Sequence, residues 1–370
     1  MCDSERVLVT GASGFIGGRI VEVFFLTRAV PVRAGVRRWS SCARLGRLPV
    51  EICLFDLLDR KALEAALQGV STVVHCAKGS REETVLGTRN LLAAALAQGV
   101  KRFLHLSTAD VYGEVEGEID ESAPLCSTGT AYSEMKIEAE KACWEFLEKG
   151  LPLTVLRPTI VYGPYSGNWT VSMAERLLQG VWGRLEGHGE GKCNLLYVDD
   201  LVRAVYCAVE RPEAIGEAFN INGPEVLTWN EYFFRFNEEL GLPALRELKG
   251  FHSSLRTAAM QPVRSLGRYL RQHHAVPLKK IASAFGLANA LMRGAERAIR
   301  TTPSPAELRL FSRNALYSTC KAKERIGFRP RVDVAAGLRT TAAWLRHNGF
   351  LDAYPERLLA PLPALQPLPG

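Results

Sequence analysis

The sequence predicts an α/β fold: a doubly wound parallel sheet with a smaller, mainly helical C-terminal lobe. Three observations lead there. Short β-branched runs alternate with helical patterns from residue 6 to about residue 160. A glycine-rich turn joins the first strand to the first helix, and the alternation breaks down past Gly163-Pro164. A chain of 370 residues and 40.8 kDa has room for two domains, or for one large core with an appended lobe.

The elements follow in order. Residues 6–10, RVLVT, form a buried strand and 14–26 a helix. Strands are expected at 31–36 and 51–55, after which Asp59 caps a short helix at 60–67. The strand 71–75 leads to a helix at 84–98, the strand 103–106 to a long helix at 132–149, and a further strand occupies 153–156. Apolar strands of this length separated by helices mark a parallel sheet covered on both faces, with right-handed crossovers. Later, 171–178 and 201–210 read as helices, 218–221 as a strand, and 229–240 and 331–347 as amphipathic helices. The expected dinucleotide-binding domain is 1–165 with 195–225. A substrate-binding lobe takes 166–194 and 226–352, and a proline-rich tail 353–370.

Hydrophobic residues at 47% and charged residues at 23% exclude wholesale disorder and a multi-span membrane protein. The acidic start running straight into a strand does not read as a secretory signal. Nine scattered cysteines without a CxxC pair suit a reducing, cytoplasmic compartment and no metal site. The net charge of +7 is concentrated: residues 246–300 hold eleven Lys/Arg against two acids. That insert alternates Leu, Ile, Met and Phe with cations at helical spacing. This is the pattern of a lid or subunit contact, or of a peripheral membrane contact. No recognition motif accompanies it, so nucleic acid is not an expected partner.

The turn Thr10-Gly11-Ala12-Ser13-Gly14-Phe15-Ile16-Gly17 has GxxGxxG spacing. Gly11 permits the tight turn, Gly14 lets the backbone approach a pyrophosphate, and Gly17 lets the helix pack on the sheet. The helix N-terminus offers unpaired N–H groups to the anion, as in a Rossmann-type fold. After the second strand stand Gly35-Val36-Arg37-Arg38 and no acid. Arg37 and Arg38 therefore favour NADP over NAD, with Arg37 the first choice for a 2′-phosphate. Asp56, after the third strand, is placed for the adenine.

Tyr132 and Lys136 lie one helical turn apart, on one face. A nearby ammonium, with a nicotinamide's positive charge, is expected to lower the phenol's pKa towards neutrality. Thr108, in Ser107-Thr108-Ala109-Asp110-Val111-Tyr112-Gly113, follows a strand and can hydrogen-bond the same substrate oxygen.

On these residues the chain resembles an extended short-chain dehydrogenase/reductase of the NAD-dependent epimerase/dehydratase family. The matching pieces are Thr10 to Gly17, Asp56-Leu57, Val74-His75-Cys76-Ala77, Ser107 to Gly113, Tyr132 with Lys136, Leu156-Arg157-Pro158 with Val161 to Pro164, and Tyr197-Val198-Asp199-Asp200. The resemblance implies a catalytic triad of Thr108, Tyr132 and Lys136, with Lys136 also on the nicotinamide ribose. It implies cofactor contacts along Gly11, Ser13, Gly14, Phe15, Ile16, Gly17, Leu57, Cys76, Ala77, Lys78, Tyr132 and Pro158, and a homodimer. Asp199 or Asp200 reads as a helix N-cap.

Departures bear on substrate. Lys78 replaces a small residue, Met135 a serine and Thr84 an asparagine. Ala109 lacks the acid of the 4,6-dehydratases. Cys193 and Ile160 replace an arginine and an asparagine of nucleotide-sugar enzymes. The expected function is hydride transfer between NAD(P) and a secondary alcohol or ketone, on a small-molecule substrate that is bulky or lipid-like. The alternatives are a nucleotide-sugar 4-epimerase with tightly bound NAD and a non-catalytic dinucleotide-binding scaffold.

Overall fold

The computed structural model describes residues 6–27, 31–180, 182–248 and 302–351. Most of the basic insert and the proline-rich tail lie outside the described residues. The first elements are β1 (Arg6–Thr10), α1 (Phe15–Leu26), β2 (Val32–Val36), β3 (Glu51–Leu54), α2 (Arg60–Ala66), β4 (Val70–His75), α3 (Arg81–Ala97) and β5 (Arg102–Leu106). There follow β6 (Gly117–Ile119), α4 (Ala131–Glu148), β7 (Leu153–Pro158) and β8 (Ile160–Tyr162). Next come α5 (Ser172–Leu178), β9 (Gly183–Leu185), β10 (Lys192–Cys193), β11 (Leu195–Tyr197), α6 (Val198–Glu210), β12 (Ala218–Ile221) and β13 (Leu227–Thr228). The remainder is α7 (Trp229–Leu240), β14 (Arg246–Leu248), α8 (Pro305–Ser312), β15 (Ala315–Tyr317), α9 (Cys320–Arg325) and α10 (Val334–His347).

Two compact units result. One is drawn from Met1–Ser166, Lys192–Leu227 and Arg313–Gly337, the other from Gly167–Gly191, Thr228–Ser312 and Leu338–Gly370. The first unit holds a seven-stranded parallel sheet of order β12-β7-β5-β4-β1-β2-β3, the doubly wound architecture the sequence predicts. The strand order reverses beside β1, so the switch point lies over the glycine turn. Thr10 pairs with His75 in one direction and Gly35 in the other, which puts the ends of β1, β4 and β2 level at the carboxyl edge. Leu8, Val73, Phe103, Leu91, Phe146 and Val155 belong to one buried cluster beneath.

The local chemistry explains the helix starts. Asp59 accepts from the N–H groups of Lys61 and Ala62, as its sequence position suggests. Ser80 and Glu83 make a reciprocal capping box that starts α3 at Arg81, three residues earlier than expected. The cap reading of Asp199 and Asp200 is corrected. Both sit in the first turn of α6, whose N-cap is Tyr197, without a side-chain cap. Asp200 instead accepts from the N–H groups of Arg331 and Val332 at 2.9–3.0 Å. Asp199 is paired with Arg19 at 2.6 Å.

In the second unit the core is aromatic. Trp229 and Phe311 lie 4.6 Å apart between ring centroids and Trp182 and Phe233 5.5 Å, the latter edge to face. No helix among the described residues is long and apolar enough to cross a membrane.

Candidate active site

The glycine turn is built for close backbone approach. Gly11 has φ +64°, and a Cβ there would stand 2.8 Å from the Ala77 Cα. A Cβ on Gly17 would stand 2.4 Å from the Gly11 carbonyl oxygen. While α2, α3, α4 and α7 have side-chain caps, α1 has none and no acid in its first turn. Its N–H groups at Phe15 and Ile16 are therefore available to an anion held over Ser13 and Gly14. A dinucleotide's pyrophosphate fits this cradle.

A buried polar relay holds the cradle to the neighbouring strand. The N–H groups of Cys76 and Ala77 donate to the Thr10 hydroxyl at 3.2 and 3.3 Å. Thr10 Oγ1 then donates to His75 Nδ1 at 2.7 Å, so the proton of this neutral imidazole belongs on Nε2, which donates to Thr88 Oγ1 at 2.9 Å. Burial first, then the nearby Lys136, lowers the pKa of His75 to about 3, and the ring is neutral. The same burial pushes the Cys76 thiol up to about 12, which leaves it inert. Leu57 is half-buried against the helix α3, where a side chain on Gly87 would stand 2.7 Å from its Cβ. Asp56 Oδ1 accepts from the Leu58 N–H at 2.9 Å and fixes the turn after β3.

Thr108, Tyr132 and Lys136 come together at the carboxyl ends of β4 and β5. Thr108 caps the turn after β5, accepting from the Asp110 N–H at 3.2 Å, and its side chain lies close enough to the Tyr132 phenol to favour the phenolate. Thr130 starts α4 by accepting from the Ser133 N–H. The Ser133 hydroxyl donates to the Asp110 carbonyl at 3.2 Å and locks the helix start to the Thr108 turn. Tyr132 is 37% exposed, whereas Lys136 is 5% exposed and donates to the Leu106 carbonyl at 2.6 Å. Burial lowers the Lys136 pKa to about 8, and Lys78 adds to this; Cys76, Glu140 and Cys143 oppose it.

The phenol departs from expectation. Its pKa lies above the ordinary value, raised first by burial and also by Asp110, and only the Thr108 hydrogen bond opposes the rise. The Lys136 ammonium is directed to a carbonyl, not to the phenol. In this state the Tyr132 phenol is protonated.

The remaining candidates divide. Arg37 is ion-paired with Glu83, the capping residue of α3, while Arg38 is exposed with no ion pair among the described residues. Lys78 is exposed and lies over the Tyr132 ring, 5.2 Å from its centroid. Pro158 closes β7 and is buried. The network beneath joins residues far apart in the chain and has no local signature. Arg157 is paired with Glu140 at 2.8 Å, one turn along α4 from Lys136, and donates to the Tyr112 hydroxyl at 2.8 Å. Tyr112 in turn donates to Asn220 Oδ1 at 2.7 Å. No group of three or more metal-ligating side chains occurs among the described residues.

The NAD dependent epimerase/dehydratase family matches residues 7–222. The sterol demethylase protein B of Methylococcus capsulatus is 30% identical over 60% of this chain and 73% of its own length. The 2-alkyl-3-oxoalkanoate reductase of Stenotrophomonas maltophilia is 30% identical over 69% of this chain and 82% of its own length. Among solved structures, the dTDP-glucose 4,6-dehydratase of Bacillus anthracis in complex with NAD has the same fold, with a TM-score of 0.69. It is 19% identical, over 94% of this chain and 98% of that one. The chain belongs to the NAD-dependent epimerase/dehydratase family of extended short-chain dehydrogenases/reductases.

Proposed function

We propose that the protein is an NAD(P)-dependent oxidoreductase acting on a secondary alcohol or its ketone, on a bulky or lipid-like substrate, with NADP the favoured cofactor. The observation that carries the reading is Thr108 beside the Tyr132 phenol, with Lys136 buried one turn along the same helix and held to the Leu106 carbonyl. A bound nicotinamide supplies or accepts the hydride. Tyr132 gives its proton to the substrate oxygen during reduction and takes it back during oxidation, Thr108 orients that oxygen, and Lys136 holds the ribose hydroxyls. Among the relatives, one is named for sterol demethylation and another for reducing 2-alkyl-3-oxoalkanoates, which supports a lipid-like substrate.

For NADP the support is the absence of an acid after β2 and Arg38 there, which has no ion pair among the described residues; Arg37 is engaged by Glu83. The test is to identify the nucleotide carried through purification and to measure turnover of aliphatic ketones with NADPH and NADH. Exchangeable NADPH with ketone reduction supports the reading. Stoichiometric, tightly bound NAD without net redox turnover would replace it with the epimerase reading.

A further inference from the structure

No acid follows β2, but a carboxylate reaches that place from another part of the chain. β4 ends at His75 and α3 begins at Arg81, so only residues 76–80 join them. This short connection is tied down along its length. The N–H groups of Cys76 and Ala77 donate to Thr10 Oγ1, and that of Gly79 donates to Thr84 Oγ1 at 3.1 Å. The Ser80 N–H donates to Glu83 Oε2 at 2.8 Å, while Glu83 Oε1 accepts from the Arg37 guanidinium. Gly79 makes room for this, since a Cβ there would collide with the Glu83 carboxylate. β1 lies between β4 and β2, with the ends of the three strands level. A pair joining the residue after β2 to the helix after β4 therefore spans the end of β1, where the glycine turn begins. The Glu83 side chain is 24% exposed and that of Arg37 50%, so the carboxylate is the anchored partner and the guanidinium the adjustable one.

We propose that Glu83 is a specificity-determining residue for the cofactor: it competes with the 2′-phosphate of NADP for Arg37, and it accepts a hydrogen bond from the ribose 2′-hydroxyl of NAD. The inference rests on the nucleotide-binding part of the reading above and deepens its cofactor choice. Charge sets the direction. A 2′-phosphate takes Arg37 only by displacing Glu83 from it, and the ion pair lost lowers the affinity gained. A hydroxyl in the same place donates to the carboxylate, as it does to the acid that follows the second strand in NAD-binding folds. Wild type therefore accepts both nucleotides, and Arg38, which has no ion pair among the described residues, is left to favour NADP.

The test is the affinity for NADPH and for NADH, by fluorescence titration, in wild type, Glu83→Gln, Arg37→Ala and the double variant. Glutamine keeps the reciprocal cap with Ser80 and removes the charge, so α3 should still start at Arg81. Glu83→Gln should bind NADPH about 3- to 30-fold more tightly and NADH about 3- to 30-fold less tightly, the scale of one ion pair and one hydrogen bond to a charged group. With Arg37→Ala already in place, the gain for NADPH should largely vanish. A second measurement needs no variant: wild type should bind NAD about 3- to 30-fold more tightly than its 2′-deoxyadenosine analogue, measured by calorimetry. Equal affinity for NAD and that analogue, an unchanged preference between NADPH and NADH in Glu83→Gln, or a gain for NADPH as large without Arg37 as with it, overturns the proposal and leaves the oxidoreductase reading intact. The expected affinities without turnover of any ketone support the proposal although the redox reading has failed. If wild type binds neither nucleotide, both fall.

Discussion

The guanidinium of Arg44 lies flat against the Tyr165 ring, 4.0 Å from its centroid, and Arg47 Nη2 donates to the Tyr165 hydroxyl at 3.4 Å. Arg44 belongs to the segment after β2, and Tyr165 to the segment that leaves β7 through β8. In the sheet, β1, β4 and β5 lie between those strands. The contact therefore bridges the switch point. Arg44 also donates to the Phe15 carbonyl in the first turn of α1, at 3.2 Å, beside the pyrophosphate cradle. Glu22 anchors both arginines. Burial alone would raise its pKa, but hydrogen bonds from Arg44, Arg47 and Arg19 take it down to about 2. Tyr165 holds φ at +70°, the only non-glycine residue with positive φ among the described residues. That conformation costs of order 1–3 kcal/mol and persists where surrounding contacts dictate it.

This clasp should slow nucleotide release. Tyr165→Ala removes a cation–π contact of about 0.5–2 kcal/mol, and NADPH dissociation should accelerate roughly 2- to 30-fold. Tyr165→Phe keeps the stacking and should dissociate nearly as slowly as wild type. Stopped-flow fluorescence measures both rates; an unchanged rate in the alanine variant would detach the clasp from cofactor retention.

Two buried neutral histidines should make the fold acid-sensitive. His75 and His105 lie 5.4 Å apart between centroids, and burial lowers both pKa values, that of His75 to about 3. Unfolded, each takes up a proton near pH 6.5, so the unfolded chain binds more protons below that pH and stability falls as pH drops from about 6.5 towards 3. Each contributes a slope of up to about 1.4 kcal/mol per pH unit. Urea unfolding between pH 7 and 5 should show it, and His105→Phe should flatten the slope. An unchanged slope in that variant would mean that His105 titrates as it does in water.

The role proposed for Lys136 comes with a stability cost. Its pKa is lowered from 10.5 to about 8, so its folded charged form is disfavoured, and its contribution to stability rises with pH between about 8 and 10.5. Lys136→Met should therefore raise the melting temperature at pH 7 while reducing turnover by orders of magnitude. A lower melting temperature would show that the bond to Leu106 outweighs the cost of burying the charge.

The Arg157–Glu140 pair lies beneath that lysine, with Arg157 only 5% exposed at its side chain and Glu140 fully buried. Glu140→Ala leaves the guanidinium uncompensated and should cost about 3–5 kcal/mol in urea denaturation. A loss below about 1 kcal/mol would contradict the pair's structural weight.

Local sequence carried much of this. The Thr10 to Gly17 turn, the Asp59 cap and the Tyr132–Lys136 face are each defined by a few adjacent residues, and strand alternation placed all seven sheet strands. Long-range partners were not legible. Nothing near Gly117–Ile119 announces that it pairs as β6 with β15, at Ala315–Tyr317. Asp200 has the composition of a cap, but backbone N–H groups from residues 331 and 332 claim its carboxylate. Arg33 is a cation inside the strand expected at 31–36, and only the structure shows it buried in β2, donating to Glu51 and to the carbonyls of Ala66 and Gln68. The direction of the Tyr132 shift depended on burial, which spacing does not reveal.

The central claim is that Tyr132 moves the proton at the reacting oxygen. The most direct measurement is the turnover number of Tyr132→Phe alongside its NADPH affinity. Tyr132→Phe removes the hydroxyl and keeps the ring, so affinity should stay close to wild type while kcat falls by about 100- to 10,000-fold. Turnover near the wild-type rate with normal NADPH binding would contradict the account.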